Sequence, residues 1–297
     1  MNAILNKTSA RHTGLVPQPP LMPRARAAIT RLRSLYWRVR HRQPGPLGLR
    51  ILFYHRISND HDDLAVTPER FRDQMEFLAS AGYRVLDVVQ ADDLLVRERL
   101  PEPLIALSFD DGYLDVAQHA LPILEKYGFR ATVFVVTGAM DGTAAFHWYK
   151  RQPAVMSWTD ITKLDHDSPF RFEPHSVTHP NLLTQGEDDV RNEIFNSKAA
   201  LEQRLGRSVS AFCYPGGLFG HRERALVVAA GYRMAVSCEP GINVPAGDRF
   251  ALRRIQVHPH DELFDFRAKI GGGHDSSPPL RRVYRRVRYG SKVSGPG

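Results

Sequence analysis

The 297-residue sequence contains only two cysteines, Cys213 and Cys238, in no metal-type spacing. That scarcity argues against a disulfide-stapled scaffold; one disulfide between them is possible, but without an export signal two reduced thiols are expected. No run of about 18 uninterrupted apolar residues occurs, so no membrane-spanning helix is expected. The opening stretch MNAILNKTSARHTGLVPQPP lacks an apolar core followed by a small-residue cleavage site. This argues against a secretory signal and for a cytoplasmic location, with peripheral contact at the inner membrane face as a further option. Acidic residues are absent from residues 1–46, which carry nine Lys or Arg, and residues 274–297 set six against the single Asp275. Removing these two arms from the total of +8 leaves residues 47–273 at −6. The body is therefore mildly acidic, and a nucleic-acid partner is not expected.

With 42% hydrophobic and 24% charged residues, the chain has the balance of a globular domain able to bury a large core. Three regions are expected: a basic arm over 1–46, a main domain over 47–273 and a basic tail over 274–297. Within the first arm, PRARAAITRLRSLYWRVRHRQ reads as a helix starting after Pro23. Ile29, Leu32, Leu35, Tyr36 and Val39 fall at helical spacing among arginines. Such a helix can lie on an anionic membrane or pack on its own domain. The cluster RQPGPLG reads as a linker, and RRVYRRVRYGSK in the tail repeats the basic character.

From residue 47 short apolar runs alternate with amphipathic stretches. Strands are expected at 49–55, 104–109, 131–136, 210–214, 234–238 and 252–257. Helices are expected in PERFRDQMEFLASAG, LDVAQHALPILEKYG, EDDVRNEIFNSKAALEQRLG and RERALVVAAG. This alternation predicts a parallel α/β architecture, open sheet or barrel, with its site at the C-terminal ends of the strands.

Two motifs carry chemistry. SFDDG, residues 108–112, ends an apolar strand in adjacent carboxylates that cannot point the same way, so Asp110 and Asp111 can take different tasks. The acids could instead cap the following helix. HSVTH places His175 and His179 four apart, a spacing that brings two imidazoles to one side of a helical turn. One carboxylate with two imidazoles is a facial set of three ligands that leaves open positions for water and substrate.

Taken in order, YHRIS, FRDQMEFLASAGYRVL, SFDDGYLD, ALPILEKYGFRATVFV, the Trp158 of MSWTDITKL, HSVTHPNL, and YPGG followed by AAGYRMAV resemble the polysaccharide deacetylase family. This is the NodB homology domain of carbohydrate esterase family 4, and the resemblance covers roughly residues 50–270. It implies a distorted (β/α) barrel, here with basic N- and C-terminal arms, and a divalent metal, most commonly Zn2+. It further implies that Asp111, His175 and His179 hold the metal, that Asp110 is the general base, and that Ser176 supports the second histidine. The implied reaction removes an N-acetyl group from an amino sugar in a glycan or glycan precursor. The metal would activate water and polarise the carbonyl, Asp110 would take the proton, and a backbone N–H near Gly216 would help hold the oxyanion.

Substrate contacts are expected from Tyr54 and His55, from Tyr214, Pro215 and Gly216 of the YPGG turn, and from Trp148; Trp158 is expected in the core. The sequence also departs from the family pattern. Cys213 stands where many members carry an arginine that orients the base, so the base must be tuned another way. The usual Leu-x-His is represented by RIQVHPH, which makes His258 the first candidate for the general acid, ahead of His260 and His221. An acid four positions before the first metal histidine is replaced by Arg171, for which Glu173 could compensate. Two other readings remain open: a deformylase or other amidohydrolase on a sugar-linked amide, and a glycan-binding pseudoenzyme.

Overall fold

The computed structural model describes residues 23–40, 48–95 and 104–276. The expected linker over 42–48 lies almost wholly outside the described residues, as does most of the basic tail. The strands are β1 (Leu49–Tyr54), β2 (Arg56–Ile57), β3 (Ala65–Val66), β4 (Arg84–Leu86), β5 (Leu104–Phe109), β6 (Ala131–Val135), β7 (Phe170–Pro174), β8 (Ala211–Cys213), β9 (Met234–Val236) and β10 (Arg254–Gln256). The helices are α1 (Pro23–Arg40), α2 (Pro68–Ser80), α3 (Val88–Leu95), α4 (Leu121–Tyr127), α5 (Thr137–Met140), α6 (Trp158–Asp167), α7 (Glu187–Leu205), α8 (His221–Ala229) and α9 (Leu263–Ile270). Among them none is long and apolar enough to cross a membrane.

Local chemistry accounts for many of these boundaries. Pro68 opens α2 behind Thr67, whose hydroxyl accepts from the Arg70 N–H. A capping box of Ser157 and Asp160 starts α6. Three acids occupy the first turn of α7, and Gly206, at φ 65°, ends that helix in the left-handed conformation its side-chain-free backbone permits. The α4 stretch is preceded by a π-helical turn over Val116–Ala120.

All strand pairs are parallel. β10, β1, β5, β6 and β7 form a continuous ladder, with β4 sharing the β6 edge of β5. β8 and β9 form a separate pair. Two non-ladder contacts close the ring. The Glu173 carboxylate accepts from the N–H groups of Ser210 and Ala211, joining β7 to β8. Leu252 donates to Ala235 O and accepts from Ser237 N, joining β9 to the approach of β10. The result is a distorted (β/α) barrel.

Strand alternation separates inside from outside. Leu49, Ile51, Leu104, Ala106, Phe134, Ala211, Cys213, Met234, Val236 and Leu252 form the interior cluster, which Val88, Val89, Ala91 and Leu95 of α3 join. The intervening residues, including Leu52, Tyr54, Leu107, Phe109, Phe212 and Tyr214, belong to the larger cluster between strands and helices.

α1 packs on the domain through α9. Arg31 pairs with Glu262 and Asp265, and Ser34 is fully buried beside His274. Arg50, at the start of β1, takes Asp275 in a two-point contact.

Candidate active site

Asp110 continues the inward register of β5 that runs through Leu104, Ala106 and Ser108. Immediately afterwards the chain bends, with Asp111 at φ 72° and Gly112 at φ 76°. A Cβ on Gly112 would lie 3.0 Å from Val135 and 3.2 Å from Met140, so glycine serves both the turn and the close approach. The bend sends the two carboxylates to different partners.

Asp111 faces the histidines. Its Oδ1 lies 3.7 Å from His175 Nε2 and 3.8 Å from His179 Nε2. The three ligand atoms lie within 4.8 Å of one another. His175 follows β7, and its Nδ1 sits 2.8 Å from the Cys213 carbonyl; that carbonyl can only accept, so Nδ1 carries the hydrogen and Nε2 keeps its lone pair. The 175–179 segment is a loop rather than the expected helical turn. Ser176 and His179 adopt left-handed φ of 66° and 58°, and the Ser176 hydroxyl accepts from the His179 N–H at 3.0 Å. Pro180 disfavours a right-handed helix at His179.

Electrostatics at this trio favour a cation. Burial, aided by the charge of Asp110, pushes Asp111 up to about 8, and its buried Oδ1 has no hydrogen-bond partner among the described residues. Burial holds His175 down at about 4 and His179 well below its ordinary value, so both imidazoles are neutral ligands. A buried, unsatisfied carboxylate oxygen beside two neutral imidazole nitrogens fits a divalent metal.

Asp110 has the opposite environment. Burial alone would raise it, but Arg254, with a further contribution from His175, holds it at about 2. Arg254 Nη1 lies 2.6 Å from Oδ1 and Nη2 2.8 Å from Oδ2, with both residues buried. Arg254 also donates to the Ser108 hydroxyl and the Ser237 carbonyl, approaches Cys213 Sγ at 3.1 Å, and lies over the Phe53 ring at 4.3 Å. The arginine missing from the FCYPGG turn is thus supplied by β10, a residue that sequence reasoning passed over. Asp110, His175 and Cys213 also gather closely, but the guanidinium already compensates Asp110 there.

The structure divides the expected substrate contacts. Tyr54 and Tyr214 face outward and are fully buried: Tyr54 donates to Gln74, while Tyr214 stacks on Phe219 and donates to the Phe250 carbonyl. Neither lines a pocket, because each sits one residue out of the inward register. Pro215 is buried and Gly216 exposed, with Gly216 and Gly217 both in left-handed conformation. His55, in register with Phe53 and Ile51, remains partly exposed at the mouth, where Asp110 is among the charges acting on it. Trp148 meets the His179 ring at 5.1 Å, and its buried Nε1 lacks a hydrogen-bond partner among the described residues. It borders a cleft of about 900 Å³ shared with Tyr149, Arg56, His61, Asp62 and Gln152.

His258 is partly exposed two residues beyond β10. Its ring stacks on His260 at 5.2 Å, and its backbone N–H donates to Asp261. Burial, followed by the charges of Lys269 and His260, holds its imidazole well below its ordinary value. His221 is exposed at the start of α8. Glu173 is occupied as the β7–β8 bridge, where it also accepts from Arg171. Trp158 is half-buried rather than core: it donates to Asp141 and lies under Arg204.

Comparison with known proteins agrees with this geometry. Residues 97–235 match the family model for polysaccharide deacetylase. YxkH of Bacillus subtilis, which is assigned to the same group, is 29% identical over 215 residues, covering 72% of this chain and 73% of its own. The poly-beta-1,6-N-acetyl-D-glucosamine N-deacetylase of Staphylococcus aureus is 22% identical over 230 residues, covering 75% and 77%. The deacetylase PplD of Streptococcus pyogenes, solved with acetate, superimposes with a TM-score of 0.68 at 26% identity, covering 76% of this chain and 99% of that one. Asp110, Asp111, His175 and His179 all lie within residues 97–235, the segment of this chain that matches the polysaccharide deacetylase family.

Proposed function

We propose that the protein hydrolyses the N-acetyl amide of an amino sugar within a glycan or glycan precursor. The observation that carries this reading is the division of labour at one barrel mouth. Asp111 lies with two neutral imidazoles, while Asp110 is separately ionised and clamped by Arg254. The substrate named for the S. aureus relative, an N-acetylated glucosamine polymer, supports the substrate class.

Asp111, His175 and His179 would hold a divalent cation, and their two-nitrogen, one-oxygen donor set suits zinc. When bound, that ion supplies Lewis acidity, polarising the amide carbonyl and acidifying water. Asp110 stays ionised across the neutral range and is fixed in direction by two hydrogen bonds, which supports a role as the base that accepts a proton as water attacks. His258 is deprotonated at rest. As the acid it would pass to the departing amine nitrogen the proton that Asp110 takes from the attacking water. Trp148 borders the cleft and offers its ring to the sugar.

The test is release of acetate from N-acetylated, and formate from N-formylated, glucosamine oligomers with and without chelator. Acetate release should vanish with chelator and fall by at least about a hundredfold in Asp110→Asn and His179→Ala. Formate alone would identify a deformylase. Neither acid from metal-loaded wild type would leave a binding protein.

A further inference from the structure

α1 is docked with Thr30, Ser34 and Trp37 inward and leaves an apolar stripe outward. Thr30 and Ser34 are buried, Arg31 is held by Glu262 and Asp265, and Arg33 donates to the carbonyls of Gly273 and Ser276. Trp37 packs against Gly271 and Gly273, where an added Cβ would come within 2.3 and 2.9 Å of its ring. The opposite face carries Leu32, Leu35, Tyr36 and Val39, exposed by 66%, 46%, 60% and 80%. Their spacing makes one stripe along two turns. These are four of the seven exposed large hydrophobics among the described residues, a cluster rather than scatter.

Charge selects what covers the stripe. Arg24 and Arg38 are exposed on the same helix, and residues 1–46 contain nine basic residues and no acid. The chain continues beyond Ser276, held beside α1 by Arg33, into a tail with six basic residues. A second copy, or this chain's own tail, would therefore set arginine against arginine. An anionic lipid surface complements the charges and accepts a line of aliphatic side chains without needing a preformed pocket. We propose that the outward face of α1 docks the protein on an anionic membrane, with Leu32, Leu35 and Val39 entering the headgroup–acyl boundary and the flanking arginines meeting lipid phosphates. The proposal is independent of the hydrolytic reading.

The test uses the full chain with vesicles of phosphatidylcholine alone and of phosphatidylcholine with phosphatidylglycerol at roughly 7:3. Wild type should sediment with the anionic vesicles only. Leu32→Ser/Leu35→Ser/Val39→Ser should weaken that binding by roughly tenfold or more while leaving circular dichroism and Tm unchanged. Arg24→Glu/Arg38→Glu should weaken it in a salt-dependent way. Equal sedimentation of the triple variant, or no sedimentation of wild type, would overturn the proposal. So would a wild-type dimer that the triple variant converts to monomer, since the stripe would then join two copies.

Discussion

Arg254 reaches Asp110 from two strands away and fills the role that the FCYPGG turn leaves open. A buried guanidinium is stable only opposite a compensating anion, and here each group is the other's compensation. Arg254→Ala should destabilise the fold by about 3–5 kcal/mol, measured by denaturant unfolding, because it strands a buried carboxylate. Arg254→Lys retains the charge but loses the fork; kcat should fall on the order of a hundredfold with little change in KM, measured by steady-state acetate release. Trp148→Ala should show the opposite split, raising KM more than it lowers kcat, since the indole borders the cleft and meets the proposed ligand His179 only through an edge-on ring contact. Arg254 was partly legible in the sequence: it stands inside the apolar run expected as a strand, where a charge implies a partner. Nothing local in the sequence says that the partner is Asp110, because the pairing spans 144 positions.

At the scale of elements, the two-residue period of the strands decides most outcomes. Phe53 and His55 share one face and Tyr54 the other; Cys213 faces inward and Tyr214 outward. Strand ends gather the candidate residues, while alternation turns Tyr54 and Tyr214 away from the mouth and into the outer core. The loop at 175–179 was less legible, since its left-handed turns at Ser176 and His179 leave no helical or strand period. Likewise, β7 hides in FRFEP because its inward positions carry Arg171 and Glu173 rather than apolar residues. Glu173 makes the β7–β8 junction with two backbone N–H groups where no ladder runs. Glu173→Ala should therefore cost about 3–5 kcal/mol and lower Tm by on the order of 10 °C, with Glu173→Gln milder. The α1 junction should be acid-sensitive. Burial, followed by the charges of Lys269 and Arg33, holds His274 at about 3. An unfolded histidine titrates near 6.5, so protons favour the unfolded chain as pH falls from there towards 3. Stability should drop by up to about 1.4 kcal/mol per pH unit across that window, and His274→Asn should flatten the slope in unfolding titrations between pH 7 and 5.

Across the whole molecule, a parallel barrel closed at two places by non-ladder contacts gathers residues from β5, β7, β8 and β10 at one mouth. The order of motifs announced that barrel, since each strand end in a parallel fold delivers its residues to the same side. The closing contacts and the docking of α1 rest on side chains far apart in sequence, and composition could describe the first arm only as basic and amphipathic. The most direct measurement is a metal titration of chelator-stripped protein, following acetate release from an N-acetylated glucosamine oligomer. Turnover should start from zero, rise in proportion to added zinc and level off at one ion per chain, with His175→Ala and His179→Ala giving neither tight uptake nor turnover. Full acetate release from the stripped protein, or undiminished turnover in both histidine variants, would contradict a metal-dependent deacetylase built on Asp111, His175 and His179.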